Sequence, residues 1–288
     1  MNSSAEIKHL LARHGLAARK SLGQNFLTDS TVVARIVAAV DIKPQDVVVE
    51  IGPGIGVLTR ALAAAGARVV AIEVDRGLAG LVAQELAYSN VQVEIADALE
   101  TDLDALVRGL QEREQKYKVV GNLPYYVTSP LLLHLLQRQR NMTMAVVMVQ
   151  QEVAARILSA PGSRTYGPLS VAVQFRSLPE LVTTVSREAF WPQPKVDSAV
   201  VRLVVREQPA VEVPDEELFF QVVRGAFTQR RKTMANSLAA VPLGLSKDEA
   251  RQALAQGGIP WEYRAENLSL AQWAALTWQL QRILSRPR

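Results

Sequence analysis

Residues 47–51, Val-Val-Val-Glu-Ile, run directly into Gly52-Pro53-Gly54-Ile55-Gly56 and then into Val57-Leu58-Thr59-Arg60-Ala61-Leu62. A β-branched run, three glycines at alternate positions and an apolar periodic segment predict a buried parallel strand, a tight turn and a helix start. Gly52 and Gly54 allow positive φ and bring a ligand close to the main chain. The free N–H groups of the following helix add partial positive charge there. This is the pattern of the first β–turn–α unit of a nucleotide-type site, at the carboxyl ends of the strands. A tight turn with no ligand fits the same letters. Gly-x-Gly-x-Gly is also not the Gly-x-Gly-x-x-Gly dinucleotide fingerprint.

A second strand, Arg68–Val74, carries Glu73, which lies 21 residues past Gly52. A carboxylate there accepts hydrogen bonds from ribose hydroxyls. NAD and S-adenosylmethionine both carry such a ribose, so this residue leaves the choice open.

The alternation continues through the first 160 residues. Strands are predicted at 47–51, 68–74, 91–96, 117–121 and 142–149. Helices are predicted at about 56–65, 76–88 and 129–138, with another starting near Glu152. Five β–α repeats imply an α/β fold with a parallel, doubly wound sheet. Ahead of it, residues 1–21 read as a basic arm with a short helix whose apolar side is Ile7, Leu10 and Leu11. Residues 21–29 read as a polar loop. Phe26 and Leu27 in that loop fit either a hydrophobic staple for the helix capped by Asp29 or Ser30, or a lid over a cofactor.

Beyond a turn-rich loop at 161–168, a helix is predicted at 169–177. Runs at 180–187 and 198–205 predict an antiparallel hairpin on the sheet edge. Polar, Pro-containing sequence at 206–214 reads as a linker. Four helices follow, at 215–228, 231–238, 246–256 and 269–284.

The composition narrows the chemistry. With 49% hydrophobic and 21% charged residues, the chain builds an ordinary globular core. It has no cysteine, which excludes disulfides, thiolate metal sites and cysteine nucleophiles. Its three histidines, His9, His14 and His134, are too scattered for a metal site or a triad. No apolar run approaches a membrane span and the N-terminus lacks a signal-peptide core, so a cytoplasmic protein is expected. The net charge of +4 is unevenly spread. Lys8, Arg13, Arg19 and Lys20 fall in an acid-free stretch, as do Arg224, Arg230, Arg231 and Lys232. Such patches fit phosphate contacts or solvated helix faces.

Asn122-Leu123-Pro124-Tyr125 stands where the fourth strand ends, beside the expected cofactor site. An amide, a proline and an aromatic ring suit methylation of an exocyclic amine. The Asn122 side-chain oxygen and the Leu123 carbonyl each accept one N6 hydrogen of adenine. Pro124 fixes the backbone, and Tyr125 offers a face for the base. The amine becomes acidic once alkylated, so no strong base is needed.

With these residues the chain resembles the small-subunit (16S-type) ribosomal RNA adenine N6,N6-dimethyltransferases. The likeness spans nearly the whole chain. It rests on Gly23-Gln24-Asn25-Phe26-Leu27, Glu50–Gly56, Ile72–Asp75, Asp97-Ala98-Leu99 and Asn122–Tyr125. Further on it includes Pro161-Gly162-Ser163, Tyr166-Gly167, Phe190, Pro192, Pro194–Ser198, Phe227-Thr228 and Arg230–Lys232.

The resemblance implies a Rossmann-like class I S-adenosylmethionine methyltransferase domain over 1–205 and a C-terminal helical rRNA-binding domain over 206–288. The implied reaction is dimethylation of two adjacent adenosines near the 3′ end of the small-subunit rRNA, in an immature subunit, by a monomer without a metal. Cofactor contacts carry over to Asn25, Leu27, Gly52, Gly54, Glu73, Asp97 and Asn122. The target-base pocket carries over to Asn122, Leu123, Pro124, Tyr125 and Phe190, although Phe190 also fits an ordinary core aromatic. Rival readings are a large-subunit methyltransferase of macrolide-resistance type, an rRNA-binding assembly factor with little catalysis, and an NAD dehydrogenase.

Overall fold

The computed structural model describes residues 3–19, 22–111 and 115–285. The chain forms two compact units, one of residues up to 154 with 178–205, the other of 155–177 with 206 onward.

In the first unit, seven strands form one sheet among the described residues. Their order is β4 (Val91–Ile95), β3 (Arg68–Glu73), β2 (Val47–Ile51), β5 (Tyr117–Asn122), β6 (Met142–Gln150), β9 (Ser198–Val205) and β7 (Ser177–Val185). β2 through β6 pair in parallel, and β9 joins β6 antiparallel. The predicted hairpin thus forms at one edge, with its second strand innermost. Every residue of β2 is buried, which is why it reads as an apolar run broken only by Glu50. Val48, Val69, Val120, Val146 and Val200 share one cluster with Val33, Ile36 and Val40 of α2 (Ser30–Val40) and Leu58 and Leu62 of α3 (Val57–Ala64). Asp29 caps α2 through the Thr31 amide.

The chain order runs outward from β2 to β4 on one side and from β5 to β6 on the other. The order of strands reverses between the parallel neighbours β2 and β5, and the crevice outside their carboxyl ends is the place such sheets offer a ligand. Register puts Ile51 beside Ile72 and Gly121, and Glu73 beside Ile95. The loops that leave these four strands therefore gather on one rim.

Residues 21–29 were expected to be a polar loop. Instead Phe26–Leu27 is a short strand, β1, paired antiparallel with β8 (Phe190–Trp191), Phe26 opposite Trp191 and Leu27 opposite Phe190. A two-residue strand carries no periodicity, and its partner lies some 160 residues away. α1 (Ser4–Arg13) buries Ile7 and Leu11 in a cluster with Leu78, Leu81, Val82 and Leu86, where α4 (Arg76–Glu85) supplies the first three.

The second unit holds α8 (Pro168–Arg176), α9 (Glu216–Thr228), α10 (Met234–Ala239), α11 (Lys247–Gln256) and α12 (Leu270–Leu284). The sequence boundary at 206 had left residues 155–177 with the first domain, and the structure groups them here. The cause is Phe175, whose ring stacks on Phe219 at 4.9 Å and meets Phe220 edge-on at 5.3 Å, while Arg176 pairs with Glu216. Ser246 and Ser269 form capping boxes with Glu249 and Gln272, fixing the starts of α11 and α12. Among the described residues no helix is long and apolar enough to cross a membrane, and no group of three metal-ligating side chains occurs.

Candidate active site

A cavity of about 520 Å³ opens at the crevice between β2 and β5. Its floor is the glycine turn after β2, and Gly54 is the residue that decides the geometry. It holds φ +60, and a Cβ there would stand 3.0 Å from the Phe26 ring. Only glycine accepts both the backbone angle and the close ring.

Glu73 and Asp97 form one side of the cavity. Glu73 is buried, and its carboxylate accepts from the amides of Asp75 at 2.9 Å and Gly54 at 3.4 Å. Burial raises its pKa, with these hydrogen bonds working the other way. One Asp97 oxygen accepts from the Leu99 amide at 2.9 Å. Glu50 also lines the cavity, and its Oε2 is buried without a partner. Burial pushes its pKa up to about 7, the Glu73 charge adding to the effect.

The opposite side is the segment after β5. Asn122 Nδ2 donates to the Asn25 carbonyl at 2.9 Å. A carbonyl can only accept, so this bond fixes which end of the amide is oxygen and leaves Oδ1 the free acceptor. The Leu123 amide donates to Met148, whereas its carbonyl enters no hydrogen bond among the described residues. Pro124 turns the chain, its carbonyl accepting from the Val127 amide at 3.1 Å and the Thr128 hydroxyl at 3.0 Å. The Tyr125 hydroxyl is 2.7 Å from that of Ser198, and burial raises its pKa, which keeps the phenol neutral.

The arm closes the third side. Gly23 through Leu27 line the cavity. Gln24 donates to Asp75 at 3.1 Å, and Arg19 pairs with the same carboxylate at 3.3 Å. Asp75 in turn caps α4, so one buried acid ties arm to helix. Phe26 and Leu27 both line the cavity, and Leu27 also packs in one cluster with Val32 and Val33 at the start of α2.

Asn25, Leu27, Gly52, Gly54, Glu73, Asp97, Asn122, Leu123, Pro124 and Tyr125 thus share one cavity wall. Phe190 does not. It is 4% exposed, packed in the apolar cluster beneath β1, and absent from the lining. Its pairing with Leu27 draws it into the core. Sequence reading overlooked Val74 and Tyr126, both largely exposed on the cavity wall. Val74 had a signal, an apolar residue between the acids Glu73 and Asp75.

The basic candidates separate into two kinds. Arg13 pairs with Glu85, which His14 also contacts at 3.0 Å, and the Lys8 ammonium lies 5.6 Å from the centre of the Trp191 ring. With Arg19 on Asp75, these cations hold the arm in place. Lys20 lies outside the described residues. Arg230 donates to the Arg164 and Tyr166 carbonyls at 2.6 and 3.0 Å and pairs with Glu266 at 3.1 Å, so its guanidinium is used within its own unit. Arg224, Arg231 and Lys232 are exposed, with no side-chain partner among the described residues.

Residues 15–282 match the family model described as ribosomal RNA adenine dimethylase. The ribosomal RNA small subunit methyltransferase A of Pelotomaculum thermopropionicum is 48% identical over 95% of both chains. That of Moorella thermoacetica is 46% identical, over 94% of this chain and 96% of its own. Among solved structures, the 23S rRNA methyltransferase ErmE superposes with a TM-score of 0.66 at 29% identity, over 89% of this chain and all of its own. A dimethyladenosine transferase from Plasmodium falciparum shares the fold at TM-score 0.72 and 24% identity, over 89% and 98%. A family model matched over residues 15–282, and relatives nearly half identical over almost the full length of both chains, place this chain in the ribosomal RNA adenine dimethylase family.

Proposed function

We propose that this chain uses S-adenosylmethionine to dimethylate N6 of two adjacent adenosines near the 3′ end of small-subunit rRNA. It does so in the cytoplasm, as a monomer, on an immature small subunit. The observation that carries this reading is the Asn122 amide, whose oxygen is left free on the cavity wall by the bond from its nitrogen to Asn25.

The residues present fit the cofactor. Glu73 has acceptor capacity for ribose hydroxyls beyond its two backbone bonds, and Asp97 has a free oxygen for an exocyclic amine. Val74 offers apolar surface between them. The main chain at Gly52 and Gly54, with Asn25 and Leu27 above, encloses the rest. The cofactor supplies an electrophilic methyl group on sulfur.

This chain's residues then orient the amine. Asn122 Oδ1 and the Leu123 carbonyl accept the two N6 hydrogens, which favours a pyramidal nitrogen with its lone pair directed into the cavity. The Tyr125 ring, pinned by Ser198, holds the base face, worth roughly 1–3 kcal/mol. The alkylated nitrogen loses its proton to water. The target leaves its stack to reach this depth. Arg224, Arg231 and Lys232 are the cations free to meet phosphates, which position the RNA without reading its sequence.

The small-subunit relatives match at 48% and 46%, against 29% for the 23S enzyme, which favours the small subunit as substrate. Asn122→Ala tests the acceptor role. Its cofactor Kd, by calorimetry, is expected within about threefold of wild type, while methyl transfer falls by about 10² or more. Full transfer would remove the role assigned to Asn122.

A further inference from the structure

The proposed reaction has a requirement that Asn122–Tyr125 do not meet. The two target adenosines are neighbours, so drawing one base into the pocket takes it off its neighbour's face and leaves that neighbour beside the cavity mouth. A purine that has lost a stacking neighbour leaves an apolar face in water unless an aromatic ring covers it.

The structure places a ring there. Tyr126 follows Tyr125 directly, lines the same cavity, and is 61% exposed. Of the large apolar and aromatic side chains exposed on the surface, it has the greatest exposure. An exposed tyrosine of this kind is unusual beside a packed motif whose other members are buried or half-buried. Its position is held on one side. Ring atoms Cδ1 and Cε1 stand 3.5 and 3.6 Å from where a Cβ on Gly23 would be, and Pro124 Cβ stands 3.7 Å from the same point. Gly23, at φ +63, therefore leaves room for the ring to rest near the arm. Tyr125 and Tyr126 differ in setting: the first is tethered by Ser198, while the second makes no side-chain hydrogen bond among the described residues.

We propose that Tyr126 forms a second nucleobase subsite, stacking the purine next to the one being methylated. This rests on the reading of Asn122–Tyr125 as the target pocket. Stacking on a ring face is indifferent to methyl groups already on N6. The ligand of this subsite is the flat face of an unstacked purine, and the phenol oxygen takes no part.

The test uses the full-length protein and small ribosomal subunits lacking the dimethyl marks, with wild type, Tyr126→Ala, Tyr126→Phe and Asn122→Ala in parallel. Tyr126→Ala is expected to raise the KM for subunits by about tenfold, to lower kcat less than threefold, and to leave cofactor Kd unchanged. Tyr126→Phe keeps the ring face and is expected to restore wild-type KM. An unchanged KM in Tyr126→Ala would overturn the proposal. So would a cofactor Kd that rises in step with KM, because Tyr126 would then act by supporting the arm. So would a phenylalanine variant as impaired as alanine, because the hydroxyl would then carry the effect. Failure of the pocket reading shows separately, as full transfer by Asn122→Ala.

Discussion

Glu50 is the residue whose environment conflicts most with its charge. It is 1% exposed, one oxygen has no partner, and burial pushes its pKa up to about 7 from 4.5. Between those two values the folded protein binds more protons than the unfolded chain. Stability therefore falls as pH rises from about 4.5 to 7 and levels above it, by roughly 3 kcal/mol over the 2.5-unit window. Glu50→Gln removes the charge without changing shape. Denaturant melts from pH 4.5 to 8 are expected to show a flatter profile for the variant and a gain over wild type at pH 8. Parallel profiles would mean that Glu50 does not titrate in that range. The sequence showed Glu50 only as one letter in a strand. Its strain comes from burial on both faces of a central strand, which no local pattern reveals. Phe190 shows the same limit in reverse: its motif context pointed to the pocket, and its pairing with Leu27 holds it in the core.

At the scale of elements, what was legible follows from periodicity. β2 through β6 and the helices after β2, β3, β5 and β6 were found within a few residues because parallel strands buried on both faces read as largely apolar runs, whereas the helix Leu103–Gln111 after β4 was not anticipated. β1 and β8 were not, since their pairing depends on chain distant in sequence. The arm is the element with the clearest consequence. α1 is held by Ile7 and Leu11, by Arg13 and His14 on Glu85, and by Arg19 on Asp75, and it delivers Gly23–Leu27 to the cavity. Hydrogen bonding from His14 holds the Glu85 carboxyl below its usual range, as expected for an acid serving as an anchor. Leu11 does not line the cavity but packs in the cluster behind Phe26, Ile55 and Leu78, which do, and truncating this fully buried leucine in Leu11→Ala costs about 2–5 kcal/mol of packing. The variant is expected to weaken cofactor binding severalfold by calorimetry and to speed amide exchange at residues 22–27. An unchanged Kd with faster exchange would separate the arm from the cofactor.

At the scale of the molecule, net charge alone would have spread the RNA contact over every basic residue. The structure sorts them by whether a partner already holds the charge. Arg230 is held by two carbonyls and Glu266, whereas Arg231 and Lys232 are free among the described residues. Changing Arg231 and Lys232 together to Ala is expected to weaken small-subunit binding and lower the salt slope of log K by up to about 2. Arg230→Ala is expected to lower the melting temperature with a smaller change in slope. Equal slopes for wild type and the double variant would remove phosphate contact from this patch. Domain assignment was the least legible feature, because residues 155–177 join the C-terminal helices through Phe175, while the linker composition at 206 marks only one of the three crossings.

Methyl transfer from labelled S-adenosylmethionine distinguishes a reaction on the small subunit from one on the large. Small subunits lacking the dimethyl marks and large subunits would be supplied side by side, and the modified nucleosides identified by mass spectrometry. The expected result is N6,N6-dimethyladenosine on the small subunit alone. Label on the large subunit, or none on the small subunit with cofactor demonstrably bound, would contradict the account.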